Sequence, residues 1–208
     1  MKATKYLIVG LIPLTIFVSS CSENTKSEKA ETESTIETES LQLNKDSVKV
    51  EWTAFKTTDK TPVKGVFRGL NIETLLDKGN SPEEILNDSK FTIDVRNLST
   101  GNPDRDVKIR DLFFGLMAEK GTINGKLNYA NKNWNVEVQM NGATINIPAK
   151  VEFEDKIFKL KTTIMLGDFN ALSMLKNLNT ACFELHKGAD GISKTWEEVE
   201  VEAIIDFN

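Results

Sequence analysis

Residues 91–114 read F-T-I-D-V-R-N-L-S-T-G-N-P-D-R-D-V-K-I-R-D-L-F-F. The segment begins as a strand, because apolar residues alternate with polar ones from Phe91 onward. The turn-forming residues S-T-G-N-P at 99–103 end that strand. A densely charged run follows, and it stops at the apolar pair Phe113 and Phe114. Charges directly beside paired aromatic side chains predict a polar rim next to an apolar interior.

The composition of the chain is that of one globular domain with a tail. It has 208 residues, a hydrophobic fraction of 39% and a formal net charge of -5. A nucleic-acid-binding domain needs a basic face, so the acidic balance argues against nucleic acid as a partner.

The N-terminal residues 1–20 are typical of a signal peptide. Two lysines precede an apolar run at 6–18, which is too short for a comfortable membrane span and is followed by small residues. The sequence V-S-S-C at 18–21 resembles the bacterial lipobox, in which the cysteine is diacylated after cleavage. We therefore predict a lipoprotein anchored through Cys21, whose acyl chains hold the protein at a membrane of the cell envelope, facing the periplasm or the cell surface. An ordinary secretory signal is the alternative.

Residues 21–46 are predicted to form a disordered acidic tether. They consist mainly of Ser, Thr and Glu with some Lys, and they carry too little apolar surface to offset chain entropy. The second cysteine, Cys182, lies among apolar residues and is expected to be a small buried side chain. If Cys21 carries lipid, then Cys182 has no disulfide partner; a Cys21–Cys182 bridge is the alternative.

Residues 47–208 are predicted to form the folded domain, an all-β protein. Apolar residues recur at every second position in about eight runs separated by short turns, and helix signals are few. One or two short helices are expected, one of them after Ser81-Pro82 and one after Asn102-Pro103. Eight antiparallel strands with one apolar face close into a barrel. The interior of such a barrel is either filled by side chains or holds one small ligand, and the strand patterns alone leave both open.

The sequence offers no catalytic or metal-binding constellation that we can support. The single histidine, His186, lies in no recognisable nucleophile motif. Asn102, Asp104 and Asp106 alternate like the start of a calcium loop, but Val107 and Phe113 occupy the positions where that loop needs Gly and Glu. We predict a protein that is not an enzyme and that has neither a metal nor a cofactor.

The chain resembles the YceI-like family of exported bacterial polyisoprenoid-binding proteins over residues 47–208. The resemblance rests on the opening strand, on the turn and strand that follow it and above all on the block described first. Its carriers are V-E-W at 50–52, G-V-F at 65–67, T-I-D-V at 92–95, L-S-T-G-N at 98–102, R-D at 105–106, I-R at 109–110 and L-F-F at 112–114.

This resemblance implies an eight-stranded, lipocalin-like antiparallel barrel that holds a long isoprenoid or other long-chain lipid without chemistry, in a carrier, storage or stress-related role. The candidate cavity residues are Trp52, Phe67, Phe91, Phe113, Phe114 and Trp134. We interpret Arg105, Asp106 and Arg110 as a structural ion-pair cluster at the barrel mouth. The expected partners are the apolar lipid and the membrane, with a homodimer also considered. A filled barrel that serves as a cell-envelope interaction module is the alternative.

Overall fold

The computed structural model describes residues 40–119 and 121–208. The predicted signal peptide, the lipidation site Cys21 and the tether up to residue 39 lie outside the described residues. Within the described part, no helix has the length and apolar character needed to cross a membrane.

The described residues form twelve strands and three α-helices, with several single 3-10 turns. The helices are α1 Pro82–Leu86, α2 Pro103–Leu112 and α3 Leu172–Ala181. The strands are β1 Leu41–Gln42, β2 Lys49–Lys56, β3 Thr61–Phe67, β4 Asn71–Glu73, β5 Lys78–Gly79, β6 Lys90–Asp94, β7 Leu98–Ser99, β8 Thr122–Ala130, β9 Asn133–Met140, β10 Ala143–Glu154, β11 Ile157–Met165 and β12 Thr195–Asp206.

Ten of the strands make up eight antiparallel paths across the sheet, and each path pairs with the next until the last pairs with the first. β3 and β4 are two halves of one path, and β6 and β7 are two halves of another, because β3 pairs with β7 and β4 pairs with β6. From β6 the ladder continues in order through β8, β9, β10, β11, β12 and β2, and it returns to β3. Each path thus has a paired neighbour on both sides, which confirms the predicted antiparallel, lipocalin-like β fold. The strand count differs, because the sheet of the described residues has ten strands where eight were predicted. β1 and β5 form a separate two-stranded sheet.

The period-two pattern of the sequence sets which side chains face inward. Val201 of β12 lies opposite Trp52 of β2, and Ile145 of β10 lies opposite Val138 of β9. The core that these faces enclose includes Phe158, which is fully buried. A shift of one residue in any strand would turn its apolar set outward, so burial of one face fixes the register.

Three tight hairpins connect β8 to β9, β9 to β10 and β10 to β11. Each has two consecutive residues with positive φ, at Asn131-Lys132, Asn141-Gly142 and Asp155-Lys156. Such turns match the right-handed twist of the flanking strands, and Asn, Asp and Gly adopt them most readily. The Asn-rich and Asp-containing separators in the sequence predict these turns.

The helix starts lie where the sequence places them. The Ser81 side chain accepts a hydrogen bond from the Glu84 backbone N–H at 3.3 Å, and the Asn102 Oδ1 accepts one from the Arg105 backbone N–H at 3.0 Å. Each cap is followed by proline at the first helical position. The described residues contain three α-helices where one or two were expected. Residues 172–181 form the third, within a stretch whose apolar residues at 169–178 have helical spacing in the sequence.

The fold begins earlier than the predicted boundary between tether and domain. Leu41 and Leu43 are buried, and Gln42 exchanges backbone hydrogen bonds with Asn208 at 2.8 and 3.2 Å. Residues from Leu41 onward, which the sequence assigns to the end of the tether, therefore pack with the domain. Two leucines within a Ser- and Glu-rich composition were enough to join the core.

Candidate functional site

The barrel wall parts between β10 and β11. Residues 143–149 of β10 pair only with β9, whereas residues 150–154 pair only with β11. The remainder of β11, from Thr162 to Met165, pairs with β12 alone. Across this gap the structure shows one hydrogen bond, from the Thr162 hydroxyl to the Pro148 carbonyl at 2.9 Å. The split admits solvent to the interior on this side.

Several inward-facing apolar side chains beside the split and at the adjoining end of the barrel are only partly buried. Ile93 of β6, Ile123 and Leu127 of β8 and Val136 and Val138 of β9 are buried. The partly exposed set comes from β2, β3, β10, β11 and β12: Ala54, Val63, Ile145, Ile147, Ile164, Val199 and Val201. The interior is thus packed on one side and accessible on the other.

A cavity of about 370 Å³ lies at the end of the barrel where β2 finishes and β3 begins. α2 and α3 form the cover of this end. We call it the mouth cavity, and its lining mixes apolar and polar residues: Trp52, Ala54, Phe55, Lys56, Val63, Asn102, Asp104, Arg105, Lys108, Ile109, Leu178, Cys182, Leu185, His186 and Thr195.

A second cavity, of about 110 Å³, lies deeper and is apolar except for Thr162. We call it the inner cavity; Val50, Phe67, Phe91 and Val138 are among its lining residues. Ligand sites commonly measure about 300–1,000 Å³, so the mouth cavity reaches that range and the inner cavity does not.

Trp52 lies between the two cavities. It lines the mouth cavity, and its ring centroid is 6.4 Å from that of Phe67, which lines the inner cavity. Its indole covers Gly65 on the neighbouring strand so closely that a Cβ at Gly65 would fall 2.2 Å from the Trp52 Cζ2. Trp52 is 8% exposed, and its Nε1–H has no hydrogen-bond partner among the described residues.

The other candidate cavity residues divide between the cavity walls and the solid core. Phe67 and Phe91 line the inner cavity. Phe113 and Phe114 are buried edge to face at 5.0 Å, and Phe114 packs on Phe67 at 6.0 Å, but this pair lines neither cavity. Trp134 packs on Phe158 at 5.3 Å in the core. The structure brings Trp52, Phe67 and the phenylalanine pair together and leaves Trp134 apart from them.

The predicted ion-pair cluster of Arg105, Asp106 and Arg110 needs correction. Asp106 accepts hydrogen bonds from the Thr100 backbone N–H at 2.8 Å and the Thr100 hydroxyl at 2.6 Å. Arg110 pairs with Asp111 instead, at 3.2 Å, and Arg105 lines the mouth cavity. Asp106 lies in the first turn of α2, where backbone N–H groups and the preceding turn draw the carboxylate away from the arginines.

His186 lies at the mouth, in the lining of the mouth cavity. Its Nδ1 is 2.7 Å from the Thr195 hydroxyl and 3.3 Å from the Asn179 Oδ1. Partial burial, and then the charges of Lys56 and Lys108, lower the pKa of His186 below its usual value of 6.5. The imidazole is therefore neutral at pH 7.

The described part contains no group of three or more His, Cys, Asp and Glu side chains placed to hold a metal ion. Sequence reasoning missed Lys56, Lys108 and His186 as mouth residues. Lys108 follows Arg105 by one helical turn, and that i, i+3 spacing was the signal available. Lys56 and His186 are brought to the same place only by the tertiary fold.

The family model of the YceI-like domain matches residues 40–207. The chain belongs to the YceI-like family. As a member, it is similar to two solved structures. One is a polyisoprenoid binding domain from Saccharophagus degradans, with 11% identity, a TM-score of 0.58 and coverage of 81% of this chain and 97% of that one. The other is BcnA from Burkholderia cenocepacia, with 15% identity, a TM-score of 0.51 and coverage of 78% and 98%. At these identities the similarity supports the fold. The comparison with curated proteins found no match.

Proposed function

We propose that this YceI-like protein is a non-catalytic, membrane-tethered lipid-binding protein that holds an isoprenoid or another long-chain apolar ligand in its barrel. The observation that carries the proposal is the partly exposed apolar interior beside the split in the wall. Apolar side chains that face into a barrel but stay in contact with water favour binding of an apolar guest. Each methylene group that the guest buries contributes about 0.8 kcal/mol. A similar domain from Saccharophagus degradans is described as polyisoprenoid binding, which supports the same ligand class.

The two cavities indicate how a long chain would be held. The mouth cavity is large enough to take the first part of the chain, and the inner cavity is too small to take the rest without movement. Trp52 and Phe67 separate the cavities, so we infer that a long chain enters by displacing these two rings. The apolar lining beyond them then covers the tail.

The tether is the second part of the proposal. The V-S-S-C motif at 18–21 supports acylation of Cys21, and the folded domain begins at Leu41. The intervening chain can extend at most about 3.3–3.6 Å per residue, which allows the barrel to stand off a membrane of the cell envelope. Replacing Cys21 with Ala should move the protein from the membrane fraction to the soluble fraction. A Cys21→Ala protein that stays membrane-bound at wild-type levels contradicts the acyl anchor.

A matched pair of substitutions tests the cavity. Ala54 lines the mouth cavity, and its neighbour Thr53 lies on the outer face of the same strand. Native mass spectrometry of gently extracted protein should show a co-purifying lipid in the wild type and in Thr53→Trp. Ala54→Trp should lose it, because the new side chain fills the cavity. A wild-type protein that is repeatedly empty and binds no labelled prenyl chain refutes the proposal.

One observation favours the alternative, a filled barrel that acts as an interaction module in the cell envelope. The inner cavity is small, and the hydrophobic core includes the fully buried Phe158 and Phe169. In that case Ala54→Trp would have no effect on bound lipid, and pull-downs would recover a stable protein partner. A homodimer stays a prediction, which sedimentation of the purified protein would check.

A further inference from the structure

The mouth cavity is locally basic in an acidic protein. Lys56, Arg105 and Lys108 line it, whereas Asp104 is the acidic residue in its lining. The whole chain has a formal net charge of -5, so this excess of positive charge does not follow from the composition. A cleft lined by one sign of charge between low-dielectric walls concentrates the field that a ligand of opposite charge meets.

The charges of Arg105 and Lys108 are not neutralised by neighbours. Among the described residues, no salt bridge joins either side chain to a carboxylate. Asp106, which follows Arg105 directly in α2, is held by Thr100. Asp104, which precedes Arg105, lines the same cavity but forms no salt bridge with Arg105 or Lys108. Lys56 donates to the Leu185 carbonyl at 2.8 Å, which fixes its charge at the mouth.

Two further features lie at this site. Burial and then the charges of Lys56 and Lys108 lower the pKa of His186, which places both cations near its imidazole. The Nε1–H of Trp52 is a buried donor without a partner among the described residues, and Trp52 lines this same cavity. Buried donors are nearly always paired in folded proteins, and this N–H is free to donate to a ligand oxygen.

The lining also contains apolar residues. Val63, Ile109 and Leu178 face the same volume, and all three are packed against the core. A small hydrated anion gains nothing from such walls, whereas an amphiphile uses both the cations and the apolar surface.

We propose that the mouth cavity receives the oxyanion head, a phosphate or a carboxylate, of a single-chain amphiphile whose tail points into the barrel. Arg105 and Lys108 contact the head, Lys56 adds to the field, and the Trp52 Nε1–H donates to an oxygen of the ligand near the head. The inference rests on the proposed function and specifies the ligand class for that site.

The test compares probes that share one chain. Farnesyl monophosphate, farnesoic acid and farnesol differ only at the head, and inorganic phosphate supplies the head alone. Isothermal titration at one fixed ionic strength should show farnesyl monophosphate binding about tenfold more tightly than farnesol, the scale expected of two partly exposed charge contacts. Farnesoic acid serves to distinguish a carboxylate preference from a phosphate preference. Tighter binding of either acid than of farnesol supports the proposal.

Variants assign the effect to the named residues. The double variant Arg105→Gln/Lys108→Gln should remove the preference for the charged head and leave the affinity for farnesol unchanged. Lys49→Gln/Lys78→Gln makes the same change in net charge at exposed positions outside the lining and should keep the preference. Trp52→Phe should weaken binding of the charged probes severalfold, because it removes the donor and keeps an aromatic ring.

The outcomes separate the two proposals. If farnesol and both acids bind equally tightly, the proposed head site is refuted and the lipid-binding function stands. If inorganic phosphate binds as tightly as farnesyl monophosphate, the proposal that the ligand is an amphiphile is refuted. Failure of all three farnesyl probes, with no lipid in the purified protein, overturns the proposed function as well.

Discussion

Replacing Gly65 with Ala should displace Trp52 and destabilise the protein. A Cβ at Gly65 would lie 2.2, 2.5 and 2.9 Å from three carbons of the Trp52 indole, Cζ2, Cε2 and Cη2. An aromatic ring cannot bend away, so the whole side chain must move by roughly 1 Å to restore ordinary contact. Trp52 is 8% exposed and packs on Phe67, so little free space is open to that movement.

Two opposing effects set the size of the change. Forcing extra volume into a packed site costs about 1–3 kcal/mol. Replacing Gly with Ala in a strand gains about 0.5–1 kcal/mol, because the unfolded chain loses freedom. We therefore expect a net loss of about 1–2 kcal/mol in the free energy of unfolding. In a domain of this size each kcal/mol corresponds to about 2–4 °C in melting temperature.

Urea unfolding followed by circular dichroism measures this loss of stability. A double-mutant cycle tests whether the loss comes from the contact between residue 65 and the Trp52 ring. Gly115→Ala is the matched control, because the nearest atom to its Cβ would be the Arg110 carbonyl oxygen at 3.4 Å. In a Trp52→Leu background the Gly65→Ala change should cost less than about 0.5 kcal/mol, since the ring is gone. If Gly65→Ala is as stable as the wild type, the indole is not held over Gly65 and the reasoning fails.

Gly125→Ala should cost more than Gly65→Ala in the same unfolding assay, because its Cβ would meet the Glu137 backbone oxygen at 2.3 Å as well as the Phe91 ring at 2.2 Å. A backbone carbonyl in a paired strand cannot move aside, so an equal or smaller loss would contradict the pairing of β8 with β9 at this residue. Stability should also fall as the pH drops below about 6.5, since the lowered pKa of His186 means that the unfolded chain takes up the proton first. His186→Gln should flatten that dependence between pH 7.5 and 5.5; an unchanged slope would assign it to other groups.

The barrel could be predicted from the sequence because its determinants are local and repeated. Alternating apolar residues in β9, β11 and β12 place each side chain on the correct face, and Asn131-Lys132 and Asn141-Gly142 form the turns that such residues favour. The caps at Ser81 and Asn102 likewise act within a few residues of themselves. The physical cause of each of these features lies within a few neighbouring residues, so the sequence alone is enough to predict them.

The open side of the barrel could not be predicted in the same way. β10 alternates without interruption from Ala143 to Glu154, yet its two halves pair with different strands. Alternation reports which side chains face inward, and it contains no information on whether both edges of a strand are paired. The division of the interior between a mouth cavity and an inner cavity depends on that pairing.

The charged run before Phe113 shows the same limit in another form. Its mixed sequence predicts pairing among Arg105, Asp106 and Arg110, and Asp106 and Arg110 are four residues apart, the spacing at which opposite charges meet on a helix. In the structure Asp106 instead accepts two hydrogen bonds from Thr100 in the turn before α2, because Thr100 offers both a backbone N–H and a hydroxyl at short distance. With that carboxylate held by Thr100, Arg105 and Lys108 form no salt bridge within the described part of the chain, and both line the mouth cavity. A side-chain contact that serves to start a helix therefore also sets the charge of the proposed ligand site.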